Sequence, residues 1–378
     1  MTSVLDLPDA HLPDHLDHLR TQVRAFLTEQ RAADAFVPYT DSWIVGADPQ
    51  FSRRLARHGW LGMTIPVEYG GRGRTPLERF VVVEELVAAG APVAAHWVAD
   101  RQVAPGLLRF GTEEQKHRYL PGIAFGEILF AIGMSEPDTG SDLASVRTRA
   151  TRTDGGWLVT GTKIWTSGAH LAHCIQTLVR TGPAGDSRHE GLTQLLIALP
   201  RDGVRIRPIR SMNGAHHFNE VVFDDVFVAD ADVLGTVGNG WAQVNAELAY
   251  ERSGPERILS TMPLLRLLVA RGALEPTILG RLIARAWALR EASIAVAVAL
   301  SAGQAPDVAA AVVKDLGTRF EREVIEAART CGTEPDLDST DPLARMLAHA
   351  LTMSPTATLR GGTNEILRAI IARAMGVR

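Results

Sequence analysis

The stretch Met134-Ser135-Glu136-Pro137-Asp138-Thr139-Gly140-Ser141-Asp142-Leu143 decides how the rest of this chain is read. It follows an apolar run, Ile128–Met134, that predicts a strand. At its exit the apolar residues give way to hydroxyls, carboxylates and a glycine. Glycine and small hydroxyl residues at a strand end let backbone approach a flat or anionic ligand closely. Hydroxyls and freed N–H groups there can hydrogen-bond a ring edge or a phosphate.

Outward from this point the periodicity changes twice. Around it, Val146–Arg152, Trp157–Trp165, Ile175–Val179, Leu195–Leu199, Val204–Ile209 and Val221–Val228 follow at short intervals, with the turn Asp154-Gly155-Gly156 among them. Short strands with turn signals between them predict an all-β module, a sandwich or barrel, over 126–230. Before it, residues 1–125 read as helix, with Leu16, Leu19, Val23, Phe26 and Leu27 at helical spacing. That region also holds a Gly/Pro-rich loop, Pro66 to Pro76, and an apolar run from Phe80 to Ala89 containing Glu84 and Glu85. After it, residues 231–378 return to helix. Helices are expected from about Trp241, over Met262–Ala273, Ile278–Ala302 and Val308–Arg329, and finally Asn364–Met375, with Glu334–Pro342 a loop. The fold class is α+β: an N-terminal helical domain, a middle β domain and a C-terminal helical domain.

Composition narrows the function classes. The 378 residues, 46% hydrophobic and 22% charged, exceed one ordinary core and suit a globular protein of two or three lobes. A net charge of −4 gives no broad attraction to nucleic acid or anionic lipid. The longest apolar stretch, near Ala295–Ala302, is far short of a membrane span, and the polar, acidic N-terminus is no signal peptide, so a cytoplasmic protein is expected. Two cysteines, Cys174 and Cys331, without metal-ligand spacing predict neither a disulfide nor a zinc site. His11, His15 and His18 recur at helical spacing, but Pro13 interrupts them and the segment is polar, so they read as solvated.

The opening stretch resembles the central motif of the acyl-CoA dehydrogenase family. Lys163-Ile164-Trp165-Thr166-Ser167-Gly168-Ala169 follows at that family's interval. Gly111-Thr112-Glu113-Glu114-Gln115-Lys116 with Leu120-Pro121 and Gly126-Glu127, Val221 to Val228, and Gly361-Gly362-Thr363-Asn364-Glu365-Ile366-Leu367-Arg368 are similar to further family motifs, in order. The resemblance implies bound FAD. It sets Ser135 and the Met134 backbone at the pyrimidine edge of the flavin, Ser141 near the pyrophosphate, and Trp165 with Ser167 against the ring and its N5 side. Gly140, Thr166, Thr363 and Glu365 are counted with these cofactor contacts, and Tyr250 and Arg252 with the substrate. Taken as isolated segments, the same residues read as a polar turn and a core aromatic.

Oxidising a saturated acyl thioester requires a carboxylate to remove the α-proton while the β-hydrogen leaves as hydride to flavin N5. Many family members carry this Glu just before the Gly-Thr of the C-terminal motif, where this chain has Gly361. Another branch carries it on an earlier helix, directly before an arginine, which matches Glu251 in Leu248-Ala249-Tyr250-Glu251-Arg252. At about 100° per residue, Trp241, Val244, Leu248 and Glu251 share one stripe of a helix, and a carboxylate on a buried stripe is desolvated and more basic. On the residues alone, Glu251 reads first as a surface partner of Arg252 or Arg257. The resemblance and the vacated position at Gly361 make it the base, with the Gly361 N–H left to polarise the thioester carbonyl.

Two family segments that reach the adenine half of FAD across a subunit contact, Arg-x-x-Phe-Gly and Gln-x-x-Gly-Gly-x-Gly, are not recognisable in Arg257-Ile258-Leu259-Ser260 or in Ala327 to Thr333. The C-terminal region also reads as abbreviated around Glu334–Pro342. The Gly-Gly-Thr form is similar to members from bacterial steroid side-chain catabolism, which pair unlike subunits and share flavin sites. The expected activity is therefore α,β-dehydrogenation of an acyl thioester, with an electron-transfer flavoprotein as acceptor and a homo- or hetero-oligomer as assembly. Two alternatives stand beside it: a non-catalytic subunit completing a partner's flavin site, and an oxidase or monooxygenase on the same fold.

Overall fold

The computed structural model describes residue 8 and residues 12–252, 254–304 and 306–377, the side chains of residues 248–251 excepted. Among the described residues seven α-helices come first: α1 (Leu16–Ala32), α2 (Ser42–Val45), α3 (Pro49–Arg57), α4 (Pro76–Ala88), α5 (Ala94–Val98), α6 (Ala104–Phe110) and α7 (Glu113–Ala124). Seven strands follow: β1 (Phe130–Gly133), β2 (Arg149–Thr153), β3 (Gly156–Lys163), β4 (Cys174–Arg180), β5 (Leu192–Ala198), β6 (Val204–Arg210) and β7 (His216–Ala229). Helices then return as α8 (Gly240–Arg252), α9 (Met262–Ala270), α10 (Pro276–Ser301), α11 (Asp307–Arg329), α12 (Pro342–Met353) and α13 (Asn364–Ala374). The helix–sheet–helix order expected from the sequence is the order found. In the C-terminal region one helix, α12, lies beyond those expected.

The chain divides into two compact units, Met1–Gly46, Arg74–Val93 and Ala249–Arg378 in one, Ala47–Gly73 and Ala94–Leu248 in the other, so the boundary falls inside α8. The second unit holds the sheet, ordered β1-β4-β2-β3-β7-β6, with β5 paired to β4. β1 runs parallel to β4, Phe130 opposite Cys174, while β3 and β7 are antiparallel, Trp157 opposite Val228 and Lys163 opposite Val221. β4 and β5 are buried along nearly their whole length, which is why their sequences do not alternate. β6 alternates half-buried Val204 and Ile206 with exposed Arg205 and Arg207, as an edge strand does, and the edge tolerates Pro208. Leu107 of α6 and Leu120 and Ile123 of α7 pack with Phe130, Cys174 and Leu196 of the sheet. Burial there pushes the Cys174 thiol up to about 12, so it stays a neutral core group.

The first unit is helical. α4 is buried along its apolar run, Glu84 and Glu85 included. Those carboxylates are not exposed to water; Arg20 of α1 reaches both, 2.7 Å to Glu84 and 2.5 Å to Glu85, Arg24 reaches Glu85 at 2.8 Å, and Arg290 of α10 reaches Glu84 at 3.2 Å. Buried charges persist when paired and hydrogen-bonded in this way. α4 starts on a capping box between Thr75 and Glu78, with Pro76 as its first residue.

Candidate functional site

The opening stretch leaves β1 and is held against the end of β3 by a buried ion pair. Lys163, fully buried, donates to the Met134 carbonyl at 2.9 Å and to Glu136 Oε1 at 2.8 Å. The same Glu136 carboxylate accepts the backbone N–H groups of Arg147 at 2.7 Å and Thr148 at 2.8 Å. Burial raises the Glu136 carboxyl, but Lys163 and these N–H groups outweigh it and hold it below its ordinary value. Burial brings Lys163 down to about 8. One more bond, from Ile164 N–H to the Ser135 carbonyl at 2.9 Å, sets Met134 and Ser135 beside Ile164 and Trp165. Two segments far apart in sequence thus share one position, and Met134 and Ser135 are both left half-buried.

Trp165 is the least relaxed residue of this group. Its φ of 57° lies in the left-handed region, which costs a bulky residue roughly 1–2 kcal/mol. The residue is 54% exposed and, among the described residues, rests edge-on against one ring, Phe218, at 5.4 Å. Thr166, next to it, is buried, and its hydroxyl has no hydrogen-bond partner among the described residues. An exposed indole on strained backbone, next to an orphaned hydroxyl and the half-buried Met134 and Ser135, fits a flat, hydrogen-bonding ring such as a flavin. Ser167 is half-buried in the same turn. Gly140 and Ser141 are exposed, and a Cβ at Gly140 would meet nothing within 4 Å, so close packing inside the chain does not demand that glycine.

The turn after Trp165 is fastened to β7. Thr166 and Asn219 exchange two backbone bonds, at 3.0 and 3.1 Å, and Gly168 N–H donates to the His217 carbonyl at 2.8 Å. The buried Asn219 side chain adds a bond to the Thr166 carbonyl at 3.0 Å. Phe218, Asn219 and the Glu136–Lys163 pair are site residues that the motif reading missed. The signal available was Glu136 and Lys163 inside otherwise unlike motifs, and a polar Asn among the apolar residues of a predicted strand.

The other unit contains the C-terminal motif. Gly361 and Gly362 have φ values of 68° and 88°, so the turn needs glycine twice. Arg252 Nε donates to the Gly361 carbonyl at 3.3 Å. Lys314 of α11, fully buried, donates to the Gly362 carbonyl at 2.8 Å and to Asn364 Oδ1 at 2.9 Å. Thr363 caps α13, accepting the Ile366 N–H at 3.3 Å. Glu365 is exposed in the first turn of α13, where its own N–H and the Thr363 hydroxyl hold its carboxyl below the ordinary value. Arg360, just before the turn, donates to Asp41 at 2.5 Å and lies 3.6 Å from Glu321. Burial pushes the Glu321 carboxyl up to about 7, against the pull of Arg360. The backbone of Tyr250 and Glu251 belongs to α8, but their side chains lie outside the described residues. On the described part of that helix Gln243, Val244 and Glu247 are buried and Trp241 is half-buried, stacked on His189 at 4.2 Å.

Of the histidines set aside earlier, His11 lies outside the described residues, and His18 is 3.1 Å from Gln22 on the same helix. Among the described residues, no cluster of His, Cys, Asp and Glu could hold a metal ion, and no helix is long and apolar enough to cross a membrane.

Family models for the acyl-CoA dehydrogenase N-terminal, middle and C-terminal domains match residues 13–127, 131–226 and 268–376. Acyl-CoA dehydrogenase IpdE1 of Mycobacterium tuberculosis is 34% identical over 378 residues, covering 96% of this chain and 98% of that protein. Acyl-CoA dehydrogenase FadE34 of the same organism is 36% identical over 88% of this chain, which spans about half (47%) of FadE34. Among solved structures, the ChsE4–ChsE5 complex from Mycobacterium tuberculosis superposes with a TM-score of 0.81 at 29% identity, covering 97% of this chain and 98% of the matched chain. With all three domain models in order and a relative matched along nearly its whole length, the chain belongs to the acyl-CoA dehydrogenase family, in the branch similar to bacterial steroid-catabolism members.

Proposed function

We propose that this chain dehydrogenates the Cα–Cβ bond of an acyl thioester, with Glu251 taking the α-proton. The observation that carries the reading is Trp165, an exposed indole on left-handed backbone beside the Glu136–Lys163 clamp. When bound, FAD supplies the acceptor for the hydride that leaves the β-carbon as the double bond forms. Met134, through its backbone, and Ser135 would hold the ring edge, and Trp165, Thr166 and Ser167 its face. Gly140 and Ser141 would hold its phosphates. In the other unit, Thr363 and Glu365 are the further cofactor-binding candidates. Glu251 holds the abstracted proton. Arg252 and Tyr250 line the acyl side, and the Gly361 N–H polarises the thioester carbonyl. Both contacts holding that turn, from Arg252 and Lys314, use carbonyl groups rather than N–H groups, in keeping with this role.

The three domain models and the IpdE1 match support the reaction class. The test is a mass measurement: the FAD-loaded chain, given a panel of acyl-CoA thioesters and an artificial electron acceptor, converts at least one to a product lighter by two hydrogens. A product gaining oxygen, or peroxide formed in step with turnover, favours an oxidase or monooxygenase instead. No conversion of any thioester by FAD-saturated protein contradicts the reading.

A second reading is favoured by one feature. The segments that hold the adenine half of FAD in the family are unrecognisable here, and a solved relative is a complex of two differently named chains. On this reading the chain shares its flavin with an unlike partner. Flavin absorbance per chain, measured alone and after co-expression with a homologue, separates the two: near-stoichiometric FAD in the lone chain excludes sharing.

A further inference from the structure

A polar knot with a buried centre lies behind Trp165, and its two outer histidines have none of the roles above. Its centre is Asn219, fully buried on β7. Its two side-chain N–H groups donate to the Thr166 carbonyl at 3.0 Å and to His170 Nδ1 at 3.1 Å, with the His217 carbonyl a longer 3.4 Å from the same nitrogen. Its Oδ1 accepts from His216 Nε2 at 2.8 Å. His170 and His216 stack at 4.1 Å. The neighbouring residue, Phe218, is the ring against which Trp165 rests.

We propose that Asn219 is the positioning residue for Trp165, fastening the turn 166–170 to β7 through a bond to His170 that exists only while that imidazole is neutral. The inference deepens the preceding reading, in which Trp165 faces the flavin. The chemistry of the bond sets its proton dependence. Asn219 donates, so His170 Nδ1 must carry a lone pair; a proton there turns acceptor into donor and breaks the contact. It also places a charge against the stacked His216. The charged groups on the strands packed against His170 are mixed in sign: β7 carries His216, His217, Glu220, Asp224 and Asp225, β6 carries Arg205, Arg207 and Arg210, the last opposite His216, and β1 has no titratable side chain. Burial, with His216 adding to it, outweighs the contact with Asn219 and holds His170 below its ordinary value, so the imidazole is neutral and the latch closed at the higher pH.

The full chain without added cofactor tests this through backbone hydrogen exchange in a peptide covering 164–171, read at about pH 8 and about pH 5.5 and corrected for intrinsic rates. The wild type is expected to be protected at the higher pH and to lose about tenfold or more of that protection at the lower one. Asn219→Ala is expected to be unprotected at both. His170→Gln, an exposed change that keeps a neutral acceptor, is expected to stay protected at both. Peptides from β3 and from residues 221–229 report whether each variant is folded. Wild-type protection in folded Asn219→Ala, or the same acid loss in His170→Gln, overturns the proposal. FAD titration then reads the consequence, a Kd raised about tenfold or more in Asn219→Ala. A wild-type chain that takes up no FAD, alone or co-expressed with a homologue, overturns the flavin reading, while hydrogen exchange still decides on the latch.

Discussion

Lys163 and Glu136 form the pair on which the candidate flavin site is built. Removing the cation leaves a buried carboxylate with only backbone donors. Lys163→Met is therefore expected to cost about 3–5 kcal/mol in denaturant unfolding and to weaken FAD binding with it. A loss below about 1 kcal/mol would mean the pair is not the clamp described. Glu136 and Lys163 each sit in a motif that was legible, but their pairing was not, because a 27-residue separation carries no periodic signal. The left-handed backbone of Trp165 was equally hidden, since nothing in Ile164-Trp165-Thr166 demands it locally. Tertiary bonds to Ser135 and Asn219 impose it.

At the scale of elements, the strands were read well where burial alternates or where apolar runs end in turns. β6 and β3 are examples, their expected starts lying within one residue of those found. α12 was missed for a physical reason. Its sequence, Pro342-Leu343-Ala344-Arg345-Met346-Leu347, begins directly behind a polar loop with proline as its first residue, a pattern read as loop although proline opens helices comfortably. The turn between α12 and α13 offers a clear prediction. Gly362→Ala places a Cβ 3.3 Å from Arg252 Nη2 at a φ of 88°, and is expected to cost about 1–2 kcal/mol by thermal unfolding and to lower turnover by moving Arg252. Unchanged stability would place the turn in a different backbone conformation.

α2, α11 and the segment before that turn meet at Asp41, Glu321 and Arg360, all within one unit. Glu321 is raised in the folded state, so folded protein binds more protons than unfolded protein between the ordinary carboxyl value and about 7. The stability it contributes is complete below the unfolded value and is lost as pH rises through about 7. Glu321→Gln is expected to remove that part of the pH dependence. The difference in thermal midpoint between wild type and variant should therefore change across about pH 5 to 8. A constant difference over that range would contradict the assignment.

For the whole molecule, the helix–sheet–helix order was legible because each region holds one periodicity for a hundred residues or more. The grouping of Arg74–Val93 with the C-terminal helices carries no such local signal. The first unit gathers Arg74–Val93 with the C-terminal helices, because α4 is buried along its apolar run and the two carboxylates within it need arginines from α1 and α10. The local sequence of α4 announces burial without naming its partners. The reaction proposed for this molecule rests on one carboxylate, Glu251, and one substitution tests it most directly. Glu251→Gln, purified with FAD bound to the same extent as in the wild type, should lose turnover of the accepted thioester by about 10²–10⁴-fold while still binding it. Full dehydrogenation by that variant would contradict the account.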